Sequence, residues 1–456
     1  MATAESVSPQ MATVSEFIAD TRDRALPDEV MHKTSYHILD TIAAMVTGAR
    51  LQPGRLGHDY AVAQGGIDEA IIIGSADRTN ATLAAFANAM SAHADETDDS
   101  HAPSLSHPGC AVVPAGLAVA ERHRRSGVEL VRAVSAGYDI GCRITPMLGM
   151  SQFSADSSSR SSHAMVSVWG AAAAAAALEG LTPEQVRWAL SYTAQQSSGV
   201  TTWLRDTRHV EKAFLFAAMG ARNGVASATM VAAGMDGVID VFTGHPNYLD
   251  ALSPVADLEV LVDGLGEQHL VMETNIKKYA VGSPAQAPVQ AMETLIEREG
   301  LTVDDVDRIE IHIPADAAQV VNGRHMSDIN CQYLVAGTLI DQGFTFAMAH
   351  DDDRMRTDAA ILDLMARSEL LGDDETYGTR KGRVIVHRKD GSKVEEFVEA
   401  VDGTAQKPMS EDQILDKGRD LMGPILGSER TEELVQSLLN PHKIDDVRDL
   451  RPLLSA

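Results

Sequence analysis

Val306–Pro314 reads VDRIEIHIP, with Ile309, Ile311 and Ile313 alternating against polar or charged neighbours. That period of two marks a half-buried strand, because successive side chains of an extended chain point to opposite faces. The run decides the fold because most of the chain before it has a helical texture. Downstream, GRVIVHRKDGSKVEEFVEA (382–400) sets Asp390-Gly391 between two further strand-like runs, the turn chemistry of a β-hairpin. Between these segments, CQYLVAGTLIDQG (331–343) and the acidic DDDRMRTDAAILDLMARS (351–368) are predicted helices.

Upstream, PDEVMHKTSYHILDTIAAMVTG (27–48) has Pro at its start, Gly at its stop, and Val30, Ile38, Ile42 and Met45 near helical spacing. EAIIIG (69–74) is a short β-like interruption before a helix that begins around Thr79. Further helices are predicted over 127–147, 161–178 and 183–196, the last opened by Thr182, Pro183 and Gln185 in a capping-box pattern. The seven alanines Ala171–Ala177 read as a buried packing helix, since Ala favours helix and lets neighbouring backbones approach. From Ser410 the chain turns helical again, in SEDQILDKGRDLMG (410–423) and RTEELVQSLLN (430–440). The expected fold is mainly α with an inserted α+β domain. Residues 1–269 with 404–456 form a large helical domain, and 270–403 a smaller α+β domain. No internal repeat is evident, and a cleft between such domains is the natural place for a ligand.

A chain of 456 residues exceeds one small core, which agrees with two domains. A formal charge of −27 argues against nucleic acid as a partner, because phosphate binding needs concentrated Lys and Arg. Cys110, Cys142 and Cys331 lie far apart without a CxxC pair, so neither a disulfide framework nor a thiolate zinc site is expected. There is no basic, then apolar, leader and no apolar run of membrane-spanning length. A cytoplasmic protein without a membrane partner is the expectation.

Four segments carry candidate chemistry. SAHADETDDSHAPSLSHPG (91–109) packs His93, His101 and His107 with Asp95, Glu96, Asp98 and Asp99 between two apolar helices, where such groups are costly to desolvate. SSRSSHAMVSVWG (158–170) puts His163 at the head of the Ala-rich helix, as a satisfied core histidine or a functional one. TWLRDTRHVEKAFLFAAMGARNG (202–224) puts Lys212 at the head of an apolar helix, where it either snorkels to solvent or serves a site. ETNIKKYAVGSPAQAPVQA (273–291) sets Lys277, Lys278 and Tyr279 before a Gly-Ser-Pro turn, which suits a carboxylate or a solvated loop.

In this order the four segments resemble the MmgE/PrpD family, whose members include 2-methylcitrate dehydratase, cis-aconitate decarboxylase and iminodisuccinate epimerase. HADETDDSH with HPG is similar to the family's H-A-x-E-F-D-D-T-H and H-P-S/G elements. SHAMVSVWGAAAAAAALEG, EKAFLFAAMGARNGV and NIKKYAVGSPAQ resemble its histidine-led, lysine-led and K-x-Y/F-P segments. The resemblance implies a helical domain with an α+β lid, a homodimer, a small polycarboxylate substrate, and no required metal or organic cofactor. Proton abstraction beside a carboxylate is then followed by loss of water, loss of CO₂ or return of the proton.

Carried over by position, His163 is the general base, with Lys212, Glu96, Asp98 and Tyr333 as further catalytic groups. His107, Ser100, Lys277, Asp99 and His101 are assigned to substrate binding. Three departures stand out. Gly282 occupies the place of a histidine that the decarboxylase has five residues after the Lys277 position, and Glu211-Lys212-Ala213-Phe214-Leu215 replaces T-K-P-L-H. The acid-to-His107 spacing is also one residue longer than in the decarboxylase. Dehydration of a hydroxylated polycarboxylate is therefore the first expectation, with epimerisation or decarboxylation through the same proton abstraction as alternatives. Two readings of other classes remain: a hydrolase with metal on His93, His101 and His107 with Asp95 or Asp98, and a non-catalytic binding protein.

Overall fold

A computed structural model describes residues 6–149, 158–376 and 379–456. The chain divides into two units, one of residues 1–94, 98–274 and 411–456, the other of 95–97 and 275–410. The large unit is helical. Its described N-terminal part runs through α1 (Pro9–Ala19), α2 (Asp28–Gly48) and α3 (Gln52–Gln64). A two-residue pairing of β1 (Ala70–Ile71) with β2 (Arg78–Thr79) follows, all that becomes strand of the EAIIIG run. Then come α4 (Ala81–Ala92), α5 (Gly109–His123), α6 (Gly127–Met147), α7 (Ser162–Glu179) and α8 (Pro183–Gln196). Thr182 and Gln185 form the expected reciprocal cap at the head of α8.

The alanine run explains the packing at the centre of this unit. Ala171–Ala177 are all fully buried in α7, and two of the helices packed on it meet it through glycine. A Cβ added to Gly141 of α6 would sit 2.8 Å from the Val166 carbonyl oxygen. One added to Gly224, in α10 (Met219–Ala232), would sit 2.5 Å from the Ala172 nitrogen. Gly220, one turn earlier, is closed in by Ser167 and the Val168 nitrogen in the same way. Side chains this small let three helices touch backbone to backbone.

The lysine-led segment is less regular than its apolar pattern suggests. A 3₁₀ turn (Thr201–Arg205) leads to a single α turn, α9 (Val210–Ala213), and then to a π turn over Phe214–Ala218 before α10 resumes. A π turn withdraws carbonyls from the i→i+4 ladder. Here the Phe216 carbonyl accepts instead from the Ser167 hydroxyl and from the Cys110 thiol at 3.8 Å. Helices Glu411–Leu426 and Ser428–Leu439 complete the unit, with Gly418 against Leu39 of α2 and Lys417 Nζ 2.6 Å from Asp40 Oδ1.

The small unit holds a four-stranded sheet in the order β4-β3-β5-β6: β3 (Val306–Pro314), β4 (Ser368–Asp373), β5 (Gly382–Arg388) and β6 (Lys393–Val398). β3 pairs antiparallel with β5, opposing Ile309 to Val386 and Ile311 to Val384, and β5 turns into β6 as the Asp-Gly signal predicts. Ile309, Ile311 and Ile313 are buried together with Leu295 of the helix Gln286–Glu299 and Leu334 and Leu339 of the helix Cys331–Ile340. β4 pairs parallel to β3 and was not signalled by SELLGD. The acidic stretch before it is two helices, Asp352–Thr357 and Ala359–Ala366, because the Asp358 carboxylate caps the second by accepting from the Ala360 and Ile361 amides.

Candidate functional site

In the large unit, α4 ends at His93, and the chain re-enters at Asp98 to run through two turns to His107 before α5. This brings the Asp98 carboxylate between two imidazoles. His93 Nδ1 lies 2.9 Å from Asp98 Oδ2, and His107 Nδ1 lies 3.3 Å from Oδ1. Burial holds His93 well below the usual imidazole range despite Asp98, so that contact is a hydrogen bond from a neutral ring.

Phe216, on the π turn, is the platform of the cluster. His163 stacks on it at 3.7 Å between ring centroids, and His93 at 4.6 Å. His107 lies 5.3 Å from His163, nearly parallel to it. Trp203 closes edge-on against both Phe216 and His163. The buried Lys212 ammonium sits 5.0 Å from the Phe216 centroid and 5.4 Å from that of Trp203, held by cation–π attraction. Its backbone N–H donates to Asp206 Oδ2, which fixes the head of α9. His209, in left-handed backbone conformation before α9, lies 5.2 Å from His93. Of the three histidine rings around Phe216, His163 is half-buried, and His93 and His107 are buried.

Asp99 and His101 face another way. Asp99 Oδ2 accepts from Tyr138 Oη at 2.5 Å and meets His37 Nδ1 at 2.9 Å, while Oδ1 accepts from the Gly109 amide. Burial pushes His37 down to about 4, leaving it neutral, and Tyr138 well above its ordinary value. Asp99 thus ties α2, α6 and the head of α5 together. His101 pairs with the Ser104 hydroxyl at 2.7 Å, and burial takes it down to about 4. Ser100 is half-buried between them.

The small unit contains the rest. Lys277 Nζ donates to the Glu96 carbonyl at 2.9 Å and lies 3.3 Å from Glu96 Oε2, all buried. Lys278 is committed to Asp402 and Glu293, and Tyr279 Oη donates to Glu293 at 2.7 Å. Tyr333 is fully buried, with its hydroxyl donating to the Met348 carbonyl at 2.7 Å.

Sequence reading passed over the partner of Asp95. His350 Nε2 lies 2.8 Å from Asp95 Oδ2, its Nδ1 donates to the Phe346 carbonyl at 2.8 Å, and its ring stacks on Phe346. Burial opposes the charge, but Asp95 outweighs it and raises His350 to about 9. Asp95 is held below the usual carboxylate range: burial opposes its ionisation, and the His350 contact and the Thr97 amide and hydroxyl outweigh it. A folded value near 9 against about 6.5 in an unfolded chain means this stabilisation is complete below about pH 6.5 and lost as pH rises through 9. The stability gap between wild type and His350→Gln, from urea unfolding, is therefore expected to shrink between pH 7 and pH 10. A gap that is constant over that range would refute the pairing.

Among the described residues His101 and His107 join no cluster of three ligand groups. His93, Asp98 and Cys110 do bring ligand atoms within 4.8 Å of one another. Both Asp98 oxygens meet imidazole nitrogens, of His93 and His107, and the Cys110 thiol donates to the His107 carbonyl. No described helix is long and apolar enough to cross a membrane.

Both parts of the sequence are matched by a known protein family. Residues 12–261 match the MmgE/PrpD N-terminal domain and 279–440 the MmgE/PrpD C-terminal domain, so the chain belongs to the MmgE/PrpD family. It is 27% identical to the cis-aconitate decarboxylase of Aspergillus terreus, over 94% of this chain and 92% of that protein. The human cis-aconitate decarboxylase is 25% identical, over 94% and 91%, and the mouse protein 23%, over 93% and 88%.

Proposed function

We propose that this protein is a lyase that takes a proton from the carbon beside a carboxylate of a small polycarboxylate, without a metal or organic cofactor. The observation that carries the reading is His163 stacked on Phe216, with the Lys212 ammonium over the same ring. A proton beside a carboxylate is weakly acidic, and its removal builds an enediolate-like dianion. A fixed cation in a water-poor setting lowers the cost of that charge. His163, the half-buried ring, is the base. Lys212 faces the developing charge, and His107, held by Asp98, gives its proton to the leaving hydroxide so that water departs. Glu96 and Lys277 are assigned as a carboxylate-binding pair of the small unit. Asp99, Ser100 and His101 shape the loop that presents Asp98 and His107. Tyr333 is assigned to the fold, since its hydroxyl proton already serves Met348.

A second reading, loss of CO₂ from the same carbanion-forming site, is favoured by the names of the full-length relatives. Proton NMR in D₂O separates the two. Citrate, 2-methylcitrate, malate, tartrate and cis-aconitate are incubated with enzyme, and dehydration yields a new alkene with all carbons retained. Decarboxylation of cis-aconitate yields one carbon fewer. Deuterium uptake without net conversion would point to inversion. If no acid of the panel exchanges or reacts, the lyase reading falls. Activity is expected to survive exhaustive chelation; loss on chelation with recovery on adding zinc would favour the metal hydrolase. The homodimer implied by the family is part of this reading, and light scattering at twice the chain mass supports it.

A further inference from the structure

The Asp95–Thr97 segment is three residues long, yet its contacts belong to the small unit while the chain on either side belongs to the large one. Lys277 and His350 hold it from outside, and Thr97 braces it from within. Lys277 takes the Glu96 carbonyl and carboxylate, Thr97 folds its amide and hydroxyl onto Asp95, and His350 meets Asp95 at 2.8 Å. His350 cannot turn away freely, because its Nδ1 is bound to the Phe346 carbonyl and its face lies on the Phe346 ring at 3.9 Å. Asp328 is the other acid whose charge reaches it.

We propose that His350 is a positioning residue: by anchoring Asp95 it fixes the Asp95–Thr97 strap, and so orients Glu96 and Lys277 to receive a substrate carboxylate. Resting on the reading above, this adds a residue outside the four sequence segments that define the site. Lys277 is a flexible ammonium whose direction is set by its acceptors, two of which are on Glu96. If Asp95 swings free, Glu96 moves with it by covalent connection, and Lys277 loses the geometry in which it is held. A merely structural histidine would change stability and the active fraction, leaving ligand affinity per folded molecule untouched.

Two readouts on folded protein test this: citrate and cis-aconitate affinity by calorimetry, and deuterium exchange of the amides of 95–99 by mass spectrometry. Wild type, His350→Gln, Asp95→Asn, the double variant and Lys277→Ala are compared at pH 7. His350→Gln and Asp95→Asn are each expected to weaken binding about tenfold and to speed exchange at 95–97. The double variant should be no weaker than either single one, as for two ends of one contact. Lys277→Ala should weaken binding as well. Unchanged affinity in His350→Gln, or additive losses in the double variant, overturns the proposal. If wild type binds neither acid, the polycarboxylate reading fails instead, and exchange alone then decides the anchor: faster at 95–97 in His350→Gln upholds it, unchanged overturns it.

Discussion

His163→Ala is expected to leave a folded protein whose α-proton chemistry has fallen about 10³-fold in kcat, within the ~10²–10⁴ that a positioned general base supplies. The fold should survive because His163 is the second residue of α7, half-buried, and alanine is a better helix former. The measurement is deuterium exchange by NMR on the acid that wild type turns over, with circular dichroism to confirm helix content. Lys212→Met keeps an apolar stem against Phe216 and Trp203 while removing the charge. It should cost about 10²–10³-fold, the range for loss of one preorganised electrostatic partner. Exchange by His163→Ala at the wild-type rate would take the base away from this ring and return attention to the acids of the 95–99 segment.

The largest effect on stability is expected at Gly224. A valine there drives Cβ against the backbone of Ala171 and Ala172, at 2.5 Å from the Ala172 nitrogen, and neither helix can yield without breaking hydrogen bonds. Overpacking ordinarily costs about 1–3 kcal/mol; with backbone on both sides, Gly224→Val is expected to exceed about 3 kcal/mol in urea unfolding or to fail to fold. The control is Gly418→Ala, also in a helix, whose added carbon would first meet Leu39 side-chain atoms, at 3.5 Å or more. That change should stabilise by up to about 1 kcal/mol through helix propensity alone. Equal midpoints for Gly224→Val and wild type would mean that α7 and α10 do not meet as described.

Much of this fold was legible because it is written in local periods. The Ile309, Ile311 and Ile313 alternation, the Asp390-Gly391 turn and the Thr182 cap each act within a few residues, and the structure repeats them. What escaped depends on partners distant in sequence. β4 is a strand because β3 offers it a parallel edge, and SELLGD has no alternation of its own. The break at Asp358 was a missed cap in a run rich in possible caps. At the site, the histidine-led and lysine-led segments drew attention to His163 and Lys212, but Phe216, the ring that gathers them, looked like one more apolar helix residue. Nothing in a linear reading says that Asp95 and Asp98, three positions apart, answer to different units. His350 was findable only as a histidine heading the acidic run 351–353.

The order in which the chain leaves the ribosome has a consequence for cells that make it. The helices Glu411–Leu426 and Ser428–Leu439, which cover α2, are translated only after the entire inserted unit. Until then the apolar side of α2 around Leu39 and the acid Asp40, which awaits Lys417, have no native cover. The nascent amino-terminal bundle is thus an unfinished, sticky surface for the time needed to synthesise about 140 residues, roughly seven to thirty seconds at ordinary elongation rates. Heterologous expression should accordingly gain from chaperones that cover this surface while the inserted unit is being made.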